Sequence, residues 1–168
     1  SGQLDPTVLV GGIALNFGER GSSYRVGAGR DFVIEGDEYD SAYFDKTAKF
    51  LKYLPDIAVV NNIEFDHADI YPDLDAVRLA FRRLVNLVPR SGLTLLGIDS
   101  PDAAALLPYA RSPVQTFGLV ETAEWRAVDL RIEPGTKFRV MRHAADLGDF
   151  TMPLLGEHNV RNALAAIA

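Results

Sequence analysis

Residues 32–40 read Phe32-Val33-Ile34-Glu35-Gly36-Asp37-Glu38-Tyr39-Asp40, an apolar run followed by four carboxylates within six residues. An apolar run without alternation is typical of a parallel strand that is buried on both faces. The carboxylates then predict a turn at the carboxyl end of this strand. Apolar side chains recur at helical spacing at about 42–53, so a helix is predicted after the turn.

The same order of elements recurs along the chain. Further apolar runs are followed by polar turns, and two of these turns lead into helical segments. Strands are predicted at 57–60, 93–98 and 114–118, the last of them at a sheet edge, and helices at about 74–88 and from Pro101, with Asp99 or Ser100 as its cap. These units predict an α/β fold with a mostly parallel, doubly wound sheet, in which the polar turns share one edge.

The pattern changes after Gly118 to alternating apolar and polar residues. Three strands are predicted at about 125–133, 137–143 and 149–155, followed by a helix at 159–168. We therefore predict one α/β domain over residues 1–168, with a small antiparallel β meander attached at about 119–155.

Composition limits the possible functions. The 168 residues carry a formal net charge of −6, whereas a surface that binds nucleic acid normally carries positive charge. An anionic ligand would need local cations, helix N-termini or a metal ion. The sequence has no cysteine, and no apolar run approaches the roughly 20 residues that span a bilayer. We expect a protein that binds no nucleic acid and has no membrane span, and a cytoplasmic location is compatible with this composition.

Two glycine motifs are weak candidates for phosphate-binding loops. Gly27-Ala28-Gly29 precedes a predicted strand instead of following one, so we reject it as a dinucleotide-binding loop. Gly11-Gly12, followed by Asn16-Phe17-Gly18, predicts a flexible turn whose glycines take positive φ. The sequence contains no Gly-x-x-x-x-Gly-Lys-Ser/Thr loop.

The acidic run at 35–40 is a candidate metal site. Neighbouring carboxylates repel one another unless water or a cation neutralises them, and Mg²⁺ prefers oxygen ligands. A solvated acidic turn is the alternative, and the run alone fits it better. A second polar turn at 61–69 follows the next strand, so a parallel sheet would bring His67 to the same edge as Glu35. His67 could complete a magnesium shell or orient a phosphate, or it could simply be solvated.

The segment Gly156-Glu157-His158-Asn159-Val160-Arg161-Asn162-Ala163 predicts the start of a helix. Asn159 and Asn162 are three residues apart, which places them on one face of that helix. An asparagine amide can bind adenine through the N6 and N7 edge of the base. Capping by Asn159 is the alternative, and it leaves the second asparagine unexplained.

Taken together, these motifs resemble the central domain of the Mur ligases. The resemblance covers nearly the whole chain, and several motifs in matching order are more specific than any one of them. It is carried by Val10-Gly11-Gly12 through Asn16-Phe17-Gly18, residues 32–40, Phe44-Asp45-Lys46, residues 61–69 and residues 156–163. The resemblance implies a fold like that of the P-loop nucleotide hydrolases, here without the phosphate loop.

The resemblance also implies an activity. Ligases of this family join a carboxylate of a UDP-linked muramyl acceptor to an amine, using ATP and Mg²⁺ to form an acyl phosphate that the amine attacks. Tyr39, Phe44-Asp45-Lys46 and Phe65-Asp66-His67-Ala68-Asp69 are most similar to the branch that adds L-alanyl-γ-D-glutamyl-meso-diaminopimelate to UDP-N-acetylmuramate in peptidoglycan recycling. The two partners implied are therefore UDP-N-acetylmuramate and a murein tripeptide.

The resemblance assigns roles to eight residues. It implies Glu35 and His67 as catalytic magnesium ligands, His158, Asn159 and Asn162 as the ATP-binding group, and Asn16, Glu38 and Asn62 as substrate contacts.

Parts of the family pattern are missing from the sequence. The phosphate loop would precede Leu4, and the N-terminal UDP-binding and C-terminal amine-binding domains are absent as well. We therefore expect a piece of a larger ligase that is inactive by itself. Two alternatives remain, namely the branch that adds L-alanine to UDP-N-acetylmuramate and a non-catalytic module that binds a nucleotide or a metal.

Overall fold

Residues 4–65, 70–132 and 134–168 are described by a computed structural model of the chain. Their strands form three sheets, and the chain divides into two units, Ser1–Glu38 and Tyr39–Ala168. No helix within these described ranges is long and apolar enough to cross a membrane.

The unit Ser1–Glu38 is a three-stranded sheet of order β2-β1-β3. Its strands are β1 (Thr7–Ala14), β2 (Ser22–Arg25) and β3 (Phe32–Ile34), with β1 antiparallel to β2 and parallel to β3. Gly11 and Gly12 lie inside β1 and have no positive φ, so the predicted turn is wrong at these two glycines. It is present after β1, where Gly18 has φ +71°. The missing side chain has a packing role instead, because a Cβ at Gly11 would lie 3.2 Å from Glu35 Oε2.

The backbone amides of Gly27-Ala28-Gly29 all donate hydrogen bonds within the unit Ser1–Glu38. The Gly27 amide donates to Thr7 Oγ1 at 3.2 Å, and the Ala28 amide donates to Asp5 Oδ2 at 2.7 Å. The Gly29 amide donates to the Asp5 carbonyl at 2.9 Å. These donors are used inside the unit, which agrees with the rejection of this segment as a phosphate cradle.

The unit Tyr39–Ala168 is built on a six-stranded sheet of order β11-β10-β9-β8-β7-β6. Neighbouring strands from β6 to β9 are parallel, and those from β9 to β11 are antiparallel. The strands are β6 (Ile57–Val60), β7 (Leu93–Gly97), β8 (Val114–Gly118), β9 (Trp125–Arg131), β10 (Thr136–Arg142) and β11 (Ala145–Met152), and the helices are α1 (Leu74–Leu87), α2 (Pro101–Ala104) and α3 (Glu157–Ile167). This is the mostly parallel α/β sheet with a meander that the sequence predicts.

Both faces of the six-stranded sheet are covered. Leu95 and Leu96 are neighbours on β7, and their side chains enter different buried clusters because successive strand residues point to opposite faces. Leu96 packs with Val77 and Val85 of α1. Leu95 packs in the cluster that holds Val160 and Leu164 of α3. The sheet is therefore wound on both sides, as predicted.

The cap predicted for the helix at Pro101 is Ser100, which accepts a hydrogen bond from the Ala103 amide at 3.3 Å. Helix α1 also has a cap, which the sequence analysis did not predict: Asp73 accepts from the Ala76 amide at 2.8 Å.

The helix predicted at 42–53 is wrong. This segment forms a two-stranded hairpin of β4 (Asp40–Ala42) and β5 (Asp45–Ala48), followed by a short 3₁₀ helix at Lys49–Lys52. Phe44, which would anchor the buried face of such a helix, is 91% exposed at the hairpin tip, whereas Phe50 is buried. Asp45 supports the hairpin because its carboxylate accepts from the Thr47 amide at 3.1 Å. A local side-chain to backbone bond thus replaces the helical one.

The strand predicted at 114–118 is not at an edge. β8 pairs with β7 on one side and with β9 on the other, where only Phe117 and Gly118 have partners, Trp125 and Arg126. Because the pairing is parallel and limited to these two positions, the rest of β9 continues past the end of β8. The meander therefore joins the parallel sheet at its carboxyl edge.

Candidate functional site

A cleft of about 520 Å³ opens at the carboxyl ends of β6 and β7. Its volume lies within the range of about 300–1,000 Å³ that is usual for small-molecule sites. Its lining residues follow β6, follow β7 or belong to the three helices: Asn61, Asn62, Ile63, Glu64, Arg78, Asp99, Ser100, Pro101, Asp102, His158, Arg161 and Asn162. The prediction that polar turns after successive parallel strands share one edge thus holds for β6 and β7.

The turn after β6 is shaped by Asn62. Its Oδ1 accepts from the Ile63 amide at 2.9 Å, and its Nδ2 donates to Glu64 Oε1 at 2.6 Å. Ile63 is 4% exposed and anchors the turn in the buried cluster beside α1. Asn62, predicted as a substrate contact, lines the cleft with its amide used in these local bonds.

Asn162 is the predicted base-binding residue, and the structure places it in the cleft. Its Oδ1 accepts a hydrogen bond from Asn61 Nδ2 at 2.8 Å. Both side chains are carried by fixed elements, since Asn61 directly follows β6 and Asn162 lies on α3. The cleft therefore contains a pair of joined amides.

The start of α3 contains the other two predicted nucleotide-binding residues. His158 lines the cleft, and Asn159 is not among the lining residues. Asn159 Nδ2 donates to the Leu155 carbonyl at 2.8 Å and lies 3.0 Å from His158 Nε2. Gly156 has φ +97°, and a Cβ there would lie 2.8 Å from the His158 ring. Asn159 thus supports the helix start and the His158 ring.

Asp99 organises the middle of the cleft, and our sequence analysis considered it only as a helix cap. Its carboxylate accepts from the Leu119 amide at 2.9 Å and the Val120 amide at 3.0 Å. It also accepts from Arg161 Nε at 2.6 Å, and only 12% of its side chain is exposed. Asp99 therefore ties the end of β7 to the end of β8 and to α3. Its position directly after an apolar strand was the only available signal.

Arg78 has a similar role between α1 and α2. Its Nε donates to Asp102 Oδ1 at 2.8 Å, and its Nη1 donates to Asp75 Oδ1 at 2.8 Å. The hydrogen bond to Asp102, followed by that to Asp75, raises the pKa of Arg78 above its ordinary value. The side chain is therefore a permanent cation that joins the two helices at the edge of the cleft.

The charges of the cleft favour an uncharged part of a ligand. Arg161 pairs with Asp99 at 2.6 Å and with Glu157 at 3.0 Å, and Arg78 is paired twice as well. Glu64 adds a further carboxylate to the lining. Because both arginines are already paired, the cleft suits a base and a sugar better than a row of phosphates.

The predicted residues Glu35, Asn16 and Glu38 lie in the unit Ser1–Glu38. Glu35 Oε2 accepts from the Gly11 amide at 2.5 Å, and the side chain is exposed. Asn16 is exposed after β1, and Glu38 is half-buried. Since β3 belongs to the three-stranded sheet and β6 to the six-stranded sheet, the strands before Glu35 and Asn61 are not neighbours in one sheet as predicted. The convergence of Glu35 with the cleft stays a prediction.

The predicted magnesium site is not tested by the described residues. Over 4–65, 70–132 and 134–168 there is no group of three His, Asp or Glu side chains that could hold a metal ion. His67, the second predicted ligand, lies outside these ranges. Of the two predicted ligands only Glu35 lies within the described ranges, so no metal geometry follows from the structure.

Comparisons with known proteins agree on one family. Residues 29–168 match the family model of the Mur ligase middle domain. The chain is 43% identical over 166 residues to the UDP-N-acetylmuramate–L-alanine ligase of Solibacter usitatus, covering 98% of this chain and 33% of that protein. It is 41% identical over 160 residues to the UDP-N-acetylmuramate–L-alanyl-gamma-D-glutamyl-meso-2,6-diaminoheptandioate ligase of Haemophilus influenzae, covering 95% of this chain and 34% of that protein.

A solved structure shows the same fold. The UDP-N-acetylmuramate:L-alanyl-gamma-D-glutamyl-meso-diaminopimelate ligase from Neisseria meningitides matches with a TM-score of 0.84 and 38% identity. The match covers 98% of this chain and 52% of that one. The chain thus spans about a third of the length of the two curated relatives.

Proposed function

This chain belongs to the Mur ligase middle-domain family, and from that premise we propose that its parent protein is an ATP-dependent ligase that joins UDP-N-acetylmuramate to L-alanyl-γ-D-glutamyl-meso-diaminopimelate. The parent would carry the UDP-binding and amine-binding domains outside this chain. Within it, residues 1–168 would form the ATP-binding part, in the cytoplasm.

The observation that carries the proposal is the cleft at the ends of β6 and β7. Its paired amides, Asn61 and Asn162, and the neighbouring His158 offer the donors, acceptors and flat ring that a nucleotide base uses. The ends of parallel strands are the usual place for such ligands in α/β folds. We therefore assign the adenosine part of ATP to this cleft.

The reaction proposed for the parent has two steps. The acceptor carboxylate attacks the γ-phosphorus of ATP, which gives an acyl phosphate and ADP. The amine nitrogen then attacks the acyl carbon, phosphate leaves with the bonding electron pair, and the amine loses a proton. Bound Mg²⁺ would supply charge neutralisation for the first step. Glu35 and His67 are the proposed residues that hold it, while Asn16, Glu38 and Asn62 are proposed substrate contacts.

The tripeptide is proposed as the substrate because of sequence motifs. Tyr39 follows Glu38 in the acidic motif, and Phe44-Asp45-Lys46 and Phe65-Asp66-His67-Ala68-Asp69 are similar to the tripeptide branch. A relative and a solved structure with that activity in their names support this choice. The second candidate is L-alanine addition, which is favoured by the relative from Solibacter usitatus.

The first experiment measures ADP release by the full-length parent. UDP-N-acetylmuramate is supplied with either L-alanine or L-alanyl-γ-D-glutamyl-meso-diaminopimelate. Turnover with the tripeptide alone supports the proposal, and turnover with alanine alone assigns the protein to the other branch. No ADP release with either amine would contradict both and favour a non-catalytic binding module.

Substitution of the proposed magnesium ligands tests the chemical step. We expect Glu35→Gln and His67→Ala each to lower ligation turnover about 100-fold or more, because charge neutralisation at a transferring phosphoryl group is a large part of such catalysis. Steady-state rates and circular dichroism spectra are compared with those of Glu121→Gln, an exposed control of the same chemistry. Unchanged turnover in either variant would remove that residue from the site.

Asn162→Ala tests the base-binding assignment. We expect the KM for ATP to rise about 10-fold while the KM for UDP-N-acetylmuramate stays within about twofold, since one base contact is lost. Equal increases in both KM values would argue that Asn162 has only a structural role.

A further inference from the structure

At the start of α3 the imidazole ring of His158 contacts its chain neighbour, Asn159. Asn159 Nδ2 lies 3.0 Å from His158 Nε2 and also donates to the Leu155 carbonyl at 2.8 Å. His158 is exposed and lines the cleft, whereas Leu155 and Asn159 are not among the lining residues. The Nε2 edge of the ring is therefore turned towards Asn159, while the ring itself borders the cleft.

The Leu155 carbonyl decides which way round the Asn159 amide lies. A backbone carbonyl only accepts hydrogen bonds, so the group of the amide that faces it is the nitrogen. Turning the amide over would place its oxygen against the Leu155 oxygen with no proton between them. The atom beside His158 is for this reason a donor, and the reversed amide does not satisfy both contacts.

A donor at this point decides where His158 carries its proton. Asn159 Nδ2 has two protons, one for the Leu155 carbonyl and one for His158 Nε2, so Nε2 accepts. In a neutral imidazole one nitrogen accepts and the other carries the proton, which places the proton on Nδ1. Turning the ring over would bring Cε1 against the amide and lose the bond. Within the described part of the chain, no hydrogen bond engages His158 Nδ1.

We propose that Asn159 is a positioning residue that holds His158 in the tautomer protonated on Nδ1, so that His158 offers the nucleotide a hydrogen-bond donor. The partner of Nδ1 is then an acceptor atom of the bound nucleotide. Asn162 lies one helical turn further along α3 and is free to contact a different edge of the same ligand. The tautomer is a property of the free protein, whereas the identity of the ligand rests on the proposed function.

The first test reads the tautomer in the ligand-free, full-length parent labelled with isotopically enriched histidine. Nitrogen NMR distinguishes a ring nitrogen that carries a proton from one that does not, and a His158→Gln variant identifies the two signals of His158. At about pH 9, where an imidazole is neutral, we expect Nδ1 to carry the proton and Nε2 to carry none. A proton on Nε2 overturns the inference.

Asn159→Asp reverses the contact. Its carboxylate only accepts, so Nε2 takes the proton, Nδ1 loses it, and the two nitrogen signals exchange their positions. An acidic residue suits the first turn of a helix, so this variant keeps α3. Signals that do not change in Asn159→Asp overturn the inference.

Asn86→Asp is the matched control for this substitution. Asn86 also donates to a carbonyl four residues before it, that of Arg82 at 2.9 Å, and it lies on α1 outside the cleft lining. Loss of its bond should leave both His158 signals unchanged. A change of these signals in the control would overturn the inference, because the tautomer would then not depend on Asn159 in particular.

Calorimetry with ADP tests the ligand of Nδ1. We expect Asn159→Asp to lower the affinity for ADP about 10-fold, because the donor is lost. In a His158→Ala background the same substitution adds only its charge, so the fall should be about threefold or less. An equal fall in both backgrounds overturns the donor role. A parent that binds no ADP overturns the proposed function and this ligand, while the tautomer measured in the free protein is unaffected.

Discussion

The two sheets that carry the predicted site residues differ in how they are held. The six-stranded sheet has a buried cluster on each face, whereas in the three-stranded sheet Ile13, Phe32 and Val33 are 65%, 58% and 52% exposed. Backbone hydrogen bonds complete both sheets. The contrast shows that strand pairing alone does not create a core, because apolar burial also needs a layer packed on the sheet.

The largest expected effect compares the two sheets by the unfolding free energy that each loses when a phenylalanine side chain is removed from it. Phe117 on β8 is 0% exposed, so Phe117→Ala should lower the free energy of unfolding by about 3–5 kcal/mol. Phe32→Ala on β3 should cost less than about 1 kcal/mol, since that ring is mostly exposed. Urea denaturation of the chain gives both values. Similar losses at the two positions would mean that the three-stranded sheet has a core of its own.

The next effect compares two glycines that each lie against a carboxylate. A Cβ at Gly118 would lie 2.7 Å from Asp99 Oδ1, and Asp99 cannot yield because backbone amides and Arg161 hold it. Gly118→Ala should therefore cost about 1–3 kcal/mol of unfolding free energy. At Gly11 the end of the exposed Glu35 side chain can shift, so Gly11→Ala should stay within about 0.5 kcal/mol.

Urea denaturation of the two glycine variants tests this second comparison. If the dependence of unfolding free energy on urea concentration is unchanged, the shift in midpoint gives the loss of stability. An equal cost at both glycines would contradict the claim that Asp99 is rigidly held and Glu35 is not.

The smallest effect concerns the origin of two lowered pKa values. Arg139 lowers the pKa of Asp149 below 3.8, mainly through their hydrogen bond, whereas the pKa of Asp5 is lowered first by the Ala28 amide and then by Arg25. Each carboxylate therefore adds stability above about pH 3.8 that is lost as the pH falls through its lower folded pKa. Salt at 1 M should raise the pKa of Asp149 more than that of Asp5, because the ion pair is screened.

Carboxyl NMR shifts followed from pH 6 to pH 2 test this. A larger salt response at Asp5 would assign its lowered pKa to Arg25 instead of to the backbone.

Local patterns predicted the elements whose cause is local. The cap at Ser100, helix α1 and the apolar run of β7 were found because the deciding contacts are a few residues apart. The segment 42–53 was misread because its spacing also suits a hairpin followed by a turn of helix. Only the buried cluster that receives Phe50, and not Phe44, decides between them.

In the cleft, too, local patterns predicted some residues, and those with partners distant in sequence were missed. Asn162 was found from its spacing to Asn159, and the position of the turn at 61–69 at the sheet edge followed from parallel-sheet topology. Asp99 and Asn61 were missed because their partners lie 20 and 101 positions away, at Leu119 and Asn162. Such contacts depend on strand order, which the sequence does not display as a pattern.

The short pairing between β8 and β9, which involves two residues of each strand, bears on local unfolding of the meander. Besides this pairing and the hydrogen bond from Trp125 Nε1 to Gln115 Oε1, α3 joins the meander to the parallel strands, because its Val160 and Leu164 share a cluster with Leu95 and Trp125. Helix α3 therefore packs across the junction between the meander and the parallel strands. A ligand bound at Asn162 would stabilise α3 and, through it, the meander. Hydrogen exchange should therefore slow in the amides of β9 to β11, although no described residue of these strands lines the cleft.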